Sequence, residues 1–197
     1  MHKIVLLDTG IVGGILSETD GTSSKWTSLV KEMISSVEHG VYAVPTPVWY
    51  EIAQWHSTSF ESVQSKISSG CPGIFEYAGY AIANSILMDA AWYKCHVRPK
   101  QNNPDTQGAG KAKDNINISM VDALIAAYCL RFGHYVLTLN IKDFPEKFFE
   151  IICIENAPST TDYQRDFIAL LKPKLEIWKQ SKVPEVALPK TSSEVPF

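Results

Sequence analysis

The sequence has little that would indicate a zinc-binding or membrane-spanning protein. Its four cysteines form no CxxC pair, so a cysteine-based zinc site is not expected. No stretch approaches the roughly 20 consecutive apolar residues that a membrane-spanning helix needs. The apolar run at residues 4–7 is too short for a signal peptide. We therefore expect a reduced, soluble, cytoplasmic protein.

The chain also lacks an excess of positive charge. It has 18 Lys and Arg against 21 Asp and Glu, and its net charge of −3 excludes a strongly basic polyanion binder. A local basic patch is still allowed, because the charge of a whole chain says little about one site. At 197 residues, with 45% hydrophobic residues, the chain is long and apolar enough for one compact domain with a sizeable core.

Short apolar runs alternate with segments of helical periodicity. Predicted strands cover residues 4–7, 41–44, 135–139 and 149–154, and predicted helices cover residues 11–16, 25–38, 76–93, 119–132 and 161–182, with another helix starting at Thr46. The run at residues 4–7 is continuously apolar, which is typical of a strand buried on both faces. Strands separated by helices predict an α/β fold with a mainly parallel central sheet.

The domain organisation follows from shifts in composition. Residues 1–157 are expected to form the α/β domain, with an insert at about 70–115 that contains a basic, loop-like stretch from Lys94 to Lys113. Residues 158–182 are expected to hold a C-terminal helix. Residues 183–197 are rich in Pro, Ser and Thr, which predicts a flexible tail.

Acidic residues stand where strands give way to helices. Asp8 follows the first strand, and a polar cluster from Asn140 to Asp143 follows the strand at residues 135–139. Glu51 and Asp122 lie near the start of helices. Because ligands bind at the carboxyl ends of parallel strands, these acids are expected to gather at one edge of the sheet. Gathered carboxylates repel one another, and Mg²⁺ or Mn²⁺ bound by oxygen ligands would remove that cost.

Each acid also has a simpler explanation. Asp122 lies three residues after Ser119 and resembles part of a capping box, and Glu51 on a helix surface is more often solvated than functional. Asp8 is compatible with a turn and Asp143 with a helix cap. It is the joint pattern of the four acids that favours a metal site over these separate explanations.

Two other phosphate chemistries fit the residues poorly. A haloacid-dehalogenase-type phosphatase needs a second acid two residues after Asp8, where this chain has Gly10. The glycines around Lys111 suggest a phosphate-binding loop, but such a loop needs Gly at position 105 and Ser or Thr at position 112, which hold Asp105 and Ala112.

Four segments together resemble the PIN-domain nucleases, and they occur in that family's order. They are residues 5–9 (VLLDT), 45–51 (PTPVWYE), 122–127 (DALIAA) and 138–144 (TLNIKDF). The resemblance implies a three-layer α/β/α fold and a metal-dependent endoribonuclease that hydrolyses RNA phosphodiester bonds. Within that family the chain resembles the VapC group, whose members are toxins of toxin–antitoxin pairs.

The resemblance also implies roles for individual residues. Asp8, Glu51 and Asp122 would be catalytic acids that bind Mg²⁺ or Mn²⁺. The family often has an acid at the position of Asn140, so Asp143 is the expected substitute. Thr9, Thr138 and Asn140 would support the acids or touch phosphate.

The resemblance implies partners as well. RNA would be guided by basic residues of the insert, although a solvated loop explains them equally well: Lys94, Arg98, Lys100, Lys111 and Lys113. A small antitoxin protein and a second copy of the chain, in a homodimer, are the expected protein partners. The alternative function is a catalytically weak PIN-like module that binds RNA or a protein without cutting.

Overall fold

A computed structural model describes residues 3–17, 25–56, 61, 65, 75–77, 84–97, 118–158 and 167–181. Within these residues the chain forms one six-stranded sheet with helices packed around it. The strands are β1 (Lys3–Leu7), β2 (Gly40–Pro45), β3 (Phe75–Tyr77), β4 (Tyr135–Thr138), β5 (Phe149–Asn156) and β6 (Phe167–Pro173). The helices are α1 (Thr9–Ser17), α2 (Lys25–Ser35), α3 (Thr46–His56), α4 (Asn84–Val97), α5 (Met120–Phe132) and α6 (Leu175–Ser181), and a 3-10 turn covers Ile141–Asp143. The prediction of an α/β protein is confirmed.

The sheet is mixed, with the strand order β3-β2-β1-β4-β6-β5. Strand β1 pairs in parallel with β2 and with β4, and β2 pairs in parallel with β3. Strand β6 runs antiparallel to both β4 and β5. A mainly parallel sheet was expected, and this holds for the half that contains β1 to β4. The other half is antiparallel, because β5 and β6 are consecutive strands that pair directly with each other.

The helix predicted within residues 158–182 is wrong over residues 167–173, which form β6. The four residues from Ile168 to Leu171 are fully buried, as expected for a strand with neighbours on both sides. A short continuous apolar run does not distinguish such a strand from a helix, and its spacing happens to fit both. Only Leu175–Ser181 is helical among the described residues of this segment.

The helix predicted at residues 76–93 is confirmed over residues 84–93, whereas residues 76 and 77 belong to β3. Residues 84–97 form α4, so Lys94 lies on a helix rather than in the predicted loop. Arg98, Lys100, Lys111 and Lys113 lie outside the described residues, as does the tail at 183–197.

Helix α2 ends at Ser35, three residues earlier than predicted. The following chain turns into β2 through His39, whose backbone φ of 56° lies in the left-handed region.

The core surrounds β1. Its residues Val5, Leu6 and Leu7 are all 0% exposed, and because successive strand side chains point to opposite faces, both faces of the sheet are covered there. Helices α1 and α2 meet where Gly14 faces the ring of Trp26. No helix in the described part of the chain is long and apolar enough to cross a membrane.

Candidate metal and catalytic site

Asp8 is fixed by its backbone between the end of β1 and the start of α1. Its amide donates to the carbonyl of Leu137 in β4 (3.0 Å), and its own carbonyl accepts from the amides of Ile11 (3.0 Å) and Val12 (3.1 Å). The residue is 4% exposed. The carboxylate is therefore presented at the carboxyl end of the central strand, where ligands bind in parallel sheets.

Both oxygens of the Asp8 carboxylate accept short hydrogen bonds. Oδ1 accepts from the amide of Thr9 at 2.6 Å, and Oδ2 accepts from the hydroxyl of Thr138 at 2.6 Å. Thr138 can reach Asp8 because β1 and β4 pair in parallel, with Leu7 opposite Leu137. These donors are neutral, so they orient the carboxylate and leave its negative charge in place.

Glu51 joins the same site through Thr9. The Thr9 hydroxyl donates to Oε2 of Glu51 at 2.6 Å, across 42 residues of sequence. Glu51 is half-buried on α3, the helix that follows β2, and β2 is the other parallel neighbour of β1. Glu51 was expected to gather with Asp8 at one edge of the sheet, and in the structure Thr9 stands between the two acids.

The turn after β4 brings in Asn140 and Asp143. The Asn140 amide donates to the Thr138 hydroxyl oxygen (2.8 Å), and the Asn140 side-chain nitrogen Nδ2 donates to Oδ2 of Asp143. Asp143 is 5% exposed. One continuous series of hydrogen-bonded residues, called the Asp8 network below, therefore comprises Glu51, Thr9, Asp8, Thr138, Asn140 and Asp143.

Asp122 is held differently. Ser119 is the N-cap of α5, and its hydroxyl oxygen accepts from the Asp122 amide (2.9 Å) and donates to Asp122 Oδ2 (2.7 Å). Half of the expected capping box is therefore present: Ser119 caps the helix, while the Asp122 carboxylate accepts from the Ser119 hydroxyl. This bond uses one oxygen of a carboxylate that has two, so it does not prevent the other from binding a metal.

Asp122 and Asp143 both influence Tyr93 of α4. Burial raises the pKa of the Tyr93 hydroxyl well above its usual value, and the charges of Cys129, Asp143 and Asp122 add to that effect in decreasing order. The two carboxylates are therefore close enough to act on one hydroxyl. Asp122 itself is not a member of the Asp8 network.

The carboxylates are near one another but are not assembled as a ligand cluster. Among the described residues, no group of three or more His, Cys, Asp or Glu side chains is placed to hold a metal ion. Thr9 stands between Glu51 and Asp8, and Thr138 with Asn140 stands between Asp8 and Asp143. The donor set consists of carboxylate, hydroxyl and amide oxygens, and its chemistry fits a hard cation such as Mg²⁺ or Mn²⁺.

Helix α4 carries one predicted site residue and one residue that was not predicted. Lys94, expected to contact RNA, is half-buried on this helix. Its neighbour Tyr93 was not among the predicted site residues, yet its hydroxyl donates to the backbone carbonyl of Asp143 at 2.6 Å. No sequence signal marks Tyr93, because a tyrosine at helical spacing is ordinarily a core residue.

Comparisons with family models, curated proteins and solved structures give no match to this chain. The function is therefore inferred from the residues of the site and their geometry.

Proposed function

We propose that the chain is a Mg²⁺- or Mn²⁺-dependent endoribonuclease of the PIN type, with the three-layer α/β/α arrangement of that family. The observation that supports this most strongly is the Asp8 network. It links Asp8, Glu51 and Asp143 at the carboxyl ends of neighbouring parallel strands, with neutral side chains as the links. Acids that keep their charge in one place are what a hard cation requires.

The proposed ligands are those that the resemblance to the PIN-domain nucleases implies. Asp8 and Asp122 would hold the main metal ion, with Glu51 and Asp143 as the further acids. When bound, a divalent ion would lower the pKa of a water molecule and offset the negative charge of phosphate oxygens. Thr9 and Thr138 would keep the Asp8 carboxylate oriented through the hydrogen bonds that they already make.

The reaction proposed is phosphodiester hydrolysis. The oxygen of a water molecule forms a bond to phosphorus, one ester P–O bond breaks, and a proton passes to the departing sugar oxygen. Glu51 is suited to orient the water, because it is half-buried while Asp8 is almost wholly enclosed. No covalent intermediate on the protein is needed.

The test is cleavage of a single-stranded RNA oligonucleotide by the purified full-length chain with Mg²⁺, with Mn²⁺ and with a chelator. Asp8→Asn keeps the shape of the side chain and removes its charge, so the rate should fall by about 100-fold or more. Glu150→Gln removes an exposed acid of β5 and should cut at the unaltered rate. Absence of metal-dependent cleavage, or equal cleavage by Asp8→Asn, would refute the proposal.

Asn140 favours a second candidate, a PIN-like module that binds RNA or a protein without cutting it. An amide at this position donates to Asp143 where a carboxylate would repel it, so the network has less need of a bound cation. Binding of RNA that is independent of metal and unaccompanied by cleavage would favour this candidate.

The proposed biological setting is that of a toxin with a small antitoxin partner, acting as a homodimer. Growth arrest on expression, relieved by the product of a small neighbouring gene and dependent on Asp8, would support this setting. An RNA-processing enzyme would cut RNA without arresting growth. Sedimentation of the purified chain measures the oligomeric state independently of either activity.

A further inference from the structure

Tyr93 connects α4 to the turn that carries Asp143. The residue is fully buried, and its hydroxyl donates to the Asp143 carbonyl across 50 residues of sequence. The bond lies between a helix of the predicted insert and one end of the Asp8 network. A buried hydroxyl would lose stability without a partner, so this bond fixes where the turn sits relative to α4.

The direction of the Tyr93 hydroxyl is set by packing. Its ring lies 5.7 Å from the ring of Phe148 and 6.4 Å from the ring of Phe149, measured between centroids. These two phenylalanines follow the turn in sequence, and both are almost completely buried. Aromatic rings packed in this way hold their rotamers, so the hydroxyl has one available position.

The turn is also held by other contacts. The amide of Asp143 donates to the Asn140 carbonyl at 3.1 Å, and the amide of Phe144 donates to the Ile141 carbonyl at 3.0 Å, so both of these bonds are internal to the turn. The Asn140 amide bonds to the Thr138 hydroxyl of β4, and the Phe144 ring packs against Phe149. The Tyr93 bond joins the turn to α4.

Helix α4 has a separate attachment one helical turn earlier. Asp89, which is buried, pairs with Arg131 of α5 at 2.7 Å. Breaking this pair would loosen α4 against α5 while leaving the Tyr93 hydroxyl in the chain. The two contacts of α4 therefore allow its contribution to stability to be separated from its contribution to the site.

The Tyr93 hydroxyl is the donor in this bond, because its partner is a backbone carbonyl. Burial is the main reason that its pKa is raised well above the usual value, and the nearby negative charges reinforce this. A protonated phenol next to Asp143 can hold the turn without placing a second negative charge beside the carboxylate.

We propose that Tyr93 is a positioning residue that holds the turn from Asn140 to Asp143 so that the Asp143 carboxylate can serve as a metal ligand. This inference rests on the proposed function, because it assumes that Asp143 contributes to metal binding. Loss of a group that orients a ligand typically weakens metal binding by about 10- to 100-fold. The same range is expected for removal of the Tyr93 hydroxyl.

The experiment compares the wild-type chain with Tyr93→Phe and Asp89→Asn. The first readout is hydrogen exchange at the amides of Asp143 and Phe144 without metal, and the second is Mn²⁺ affinity by calorimetric titration. Tyr93→Phe removes only the hydroxyl and should exchange faster at both amides and bind Mn²⁺ about tenfold more weakly. Asp89→Asn should lower the unfolding temperature but match the wild type in both readouts.

Unchanged exchange in Tyr93→Phe overturns the inference, and so does faster exchange with unaltered Mn²⁺ affinity. Equal effects in Asp89→Asn would show a general loss of stability and would also overturn it. A wild-type chain that binds no Mn²⁺ refutes the proposed metal site. That result can be distinguished from failure of the inference about Tyr93, because the exchange measurement needs no metal and reports on the turn alone.

Discussion

Strands β1 and β5 belong to the same sheet but differ in the exposure of their side chains and in the number of their neighbouring strands. Residues Val5 to Leu7 of β1 are 0% exposed, and the strand has parallel neighbours on both sides. Strand β5 is at the edge of the sheet, where Ile151 is 47% and Ile154 is 44% exposed. Asp8 follows the enclosed strand, and Glu51 and Asp143 follow its parallel neighbours β2 and β4. Asp122 lies on α5, and none of the four acids follows β5.

The difference shows why the site lies where it does. A strand held on both sides and both faces has little freedom, so the residue that follows it is placed accurately. An edge strand has one set of backbone partners and tolerates local change. Substitutions near the end of β1 should therefore have large effects, and substitutions on β5 small ones.

The largest effect is expected for Thr138→Val. This change removes the hydroxyl that donates to Asp8 Oδ2 and accepts from the Asn140 amide, and it keeps the shape of the side chain. Because a buried charged acceptor loses its donor, we expect the free energy of unfolding to fall by about 3 kcal/mol. Chemical denaturation measures the change.

The matched change on β5 is Ile154→Thr, at a half-exposed edge position. It should alter the free energy of unfolding by no more than about 0.5 kcal/mol. Thr138 lies on β4 and bonds to the residue that follows β1, so equal destabilisation by the two substitutions would show that the contrast between the end of β1 and β5 is wrong.

The next largest effect concerns the helix that follows β1. An added Cβ at Gly14 would lie 2.6 Å from ring atoms of Trp26, whereas an added Cβ at Gly13 would meet nothing within 4 Å. Gly14→Ala should therefore destabilise the chain by about 2 kcal/mol through overpacking. Thermal unfolding of the two single variants gives the comparison.

Gly13→Ala is the control within the same helix. It should stabilise the chain by about 0.5 to 1 kcal/mol, because alanine is the better helix former. Stabilisation by both alanines would mean that α1 and α2 are not closely packed at Gly14.

A smaller effect is expected where β4 ends. Asn140→Asp replaces a donor to Asp143 with a second carboxylate, so the metal-free chain should lose about 1 kcal/mol of stability. Mn²⁺ would relieve the repulsion, and the increase in unfolding temperature on adding Mn²⁺ should exceed that of the wild type. Equal increases in the two proteins would show that position 140 does not face a bound metal.

The smallest effect is a pH dependence at His134, just before β4. Burial lowers the pKa of His134 to about 4, below the ordinary value of 6.5. The unfolded chain therefore binds the proton more readily between these values, and stability that is present above pH 6.5 is lost as the pH falls towards 4. Because the ring is half-buried, the loss between pH 6.5 and 5.5 should stay below about 1 kcal/mol.

The measurement is the free energy of unfolding of the wild type and of His134→Asn across this range. The difference between them isolates His134 from the carboxylates that also titrate. A difference that does not change with pH would contradict the expected burial of the neutral ring.

The sequence predicted strands β1, β2, β4 and β5, and it missed β3 in the parallel half of the sheet and β6 in the antiparallel half. Strands β1, β2 and β4 are short apolar runs bounded by turn residues, and the prediction placed each within one or two residues. Strand β6 was predicted as a helix, because the order of its pairing partners is a property of the whole sheet and leaves no local trace. Tertiary pairing decided its structure.

The site shows the same division between features that a local pattern predicts and features that tertiary pairing decides. Asp8 and Asp143 were recognisable because they follow strands, and Glu51 and Asp122 because they lie near the start of helices. Ser119 was recognisable as a cap because its spacing to Asp122 is local. The bonds from Thr9 to Glu51 and from Tyr93 to Asp143 span 42 and 50 residues, and no local pattern encodes such contacts. They arise only when the strands are placed side by side.

The position of β6 has a consequence for the order in which the protein is made. Strand β4 lies between β1 and β6, but residues 167–173 are synthesised well after the last residue of the Asp8 network. A growing chain therefore contains all the acids of the candidate site while β4 is still an open edge. Since domains fold as units during synthesis, the accurate placement of Thr138 against Asp8 would be reached only when the sheet receives its late antiparallel strand.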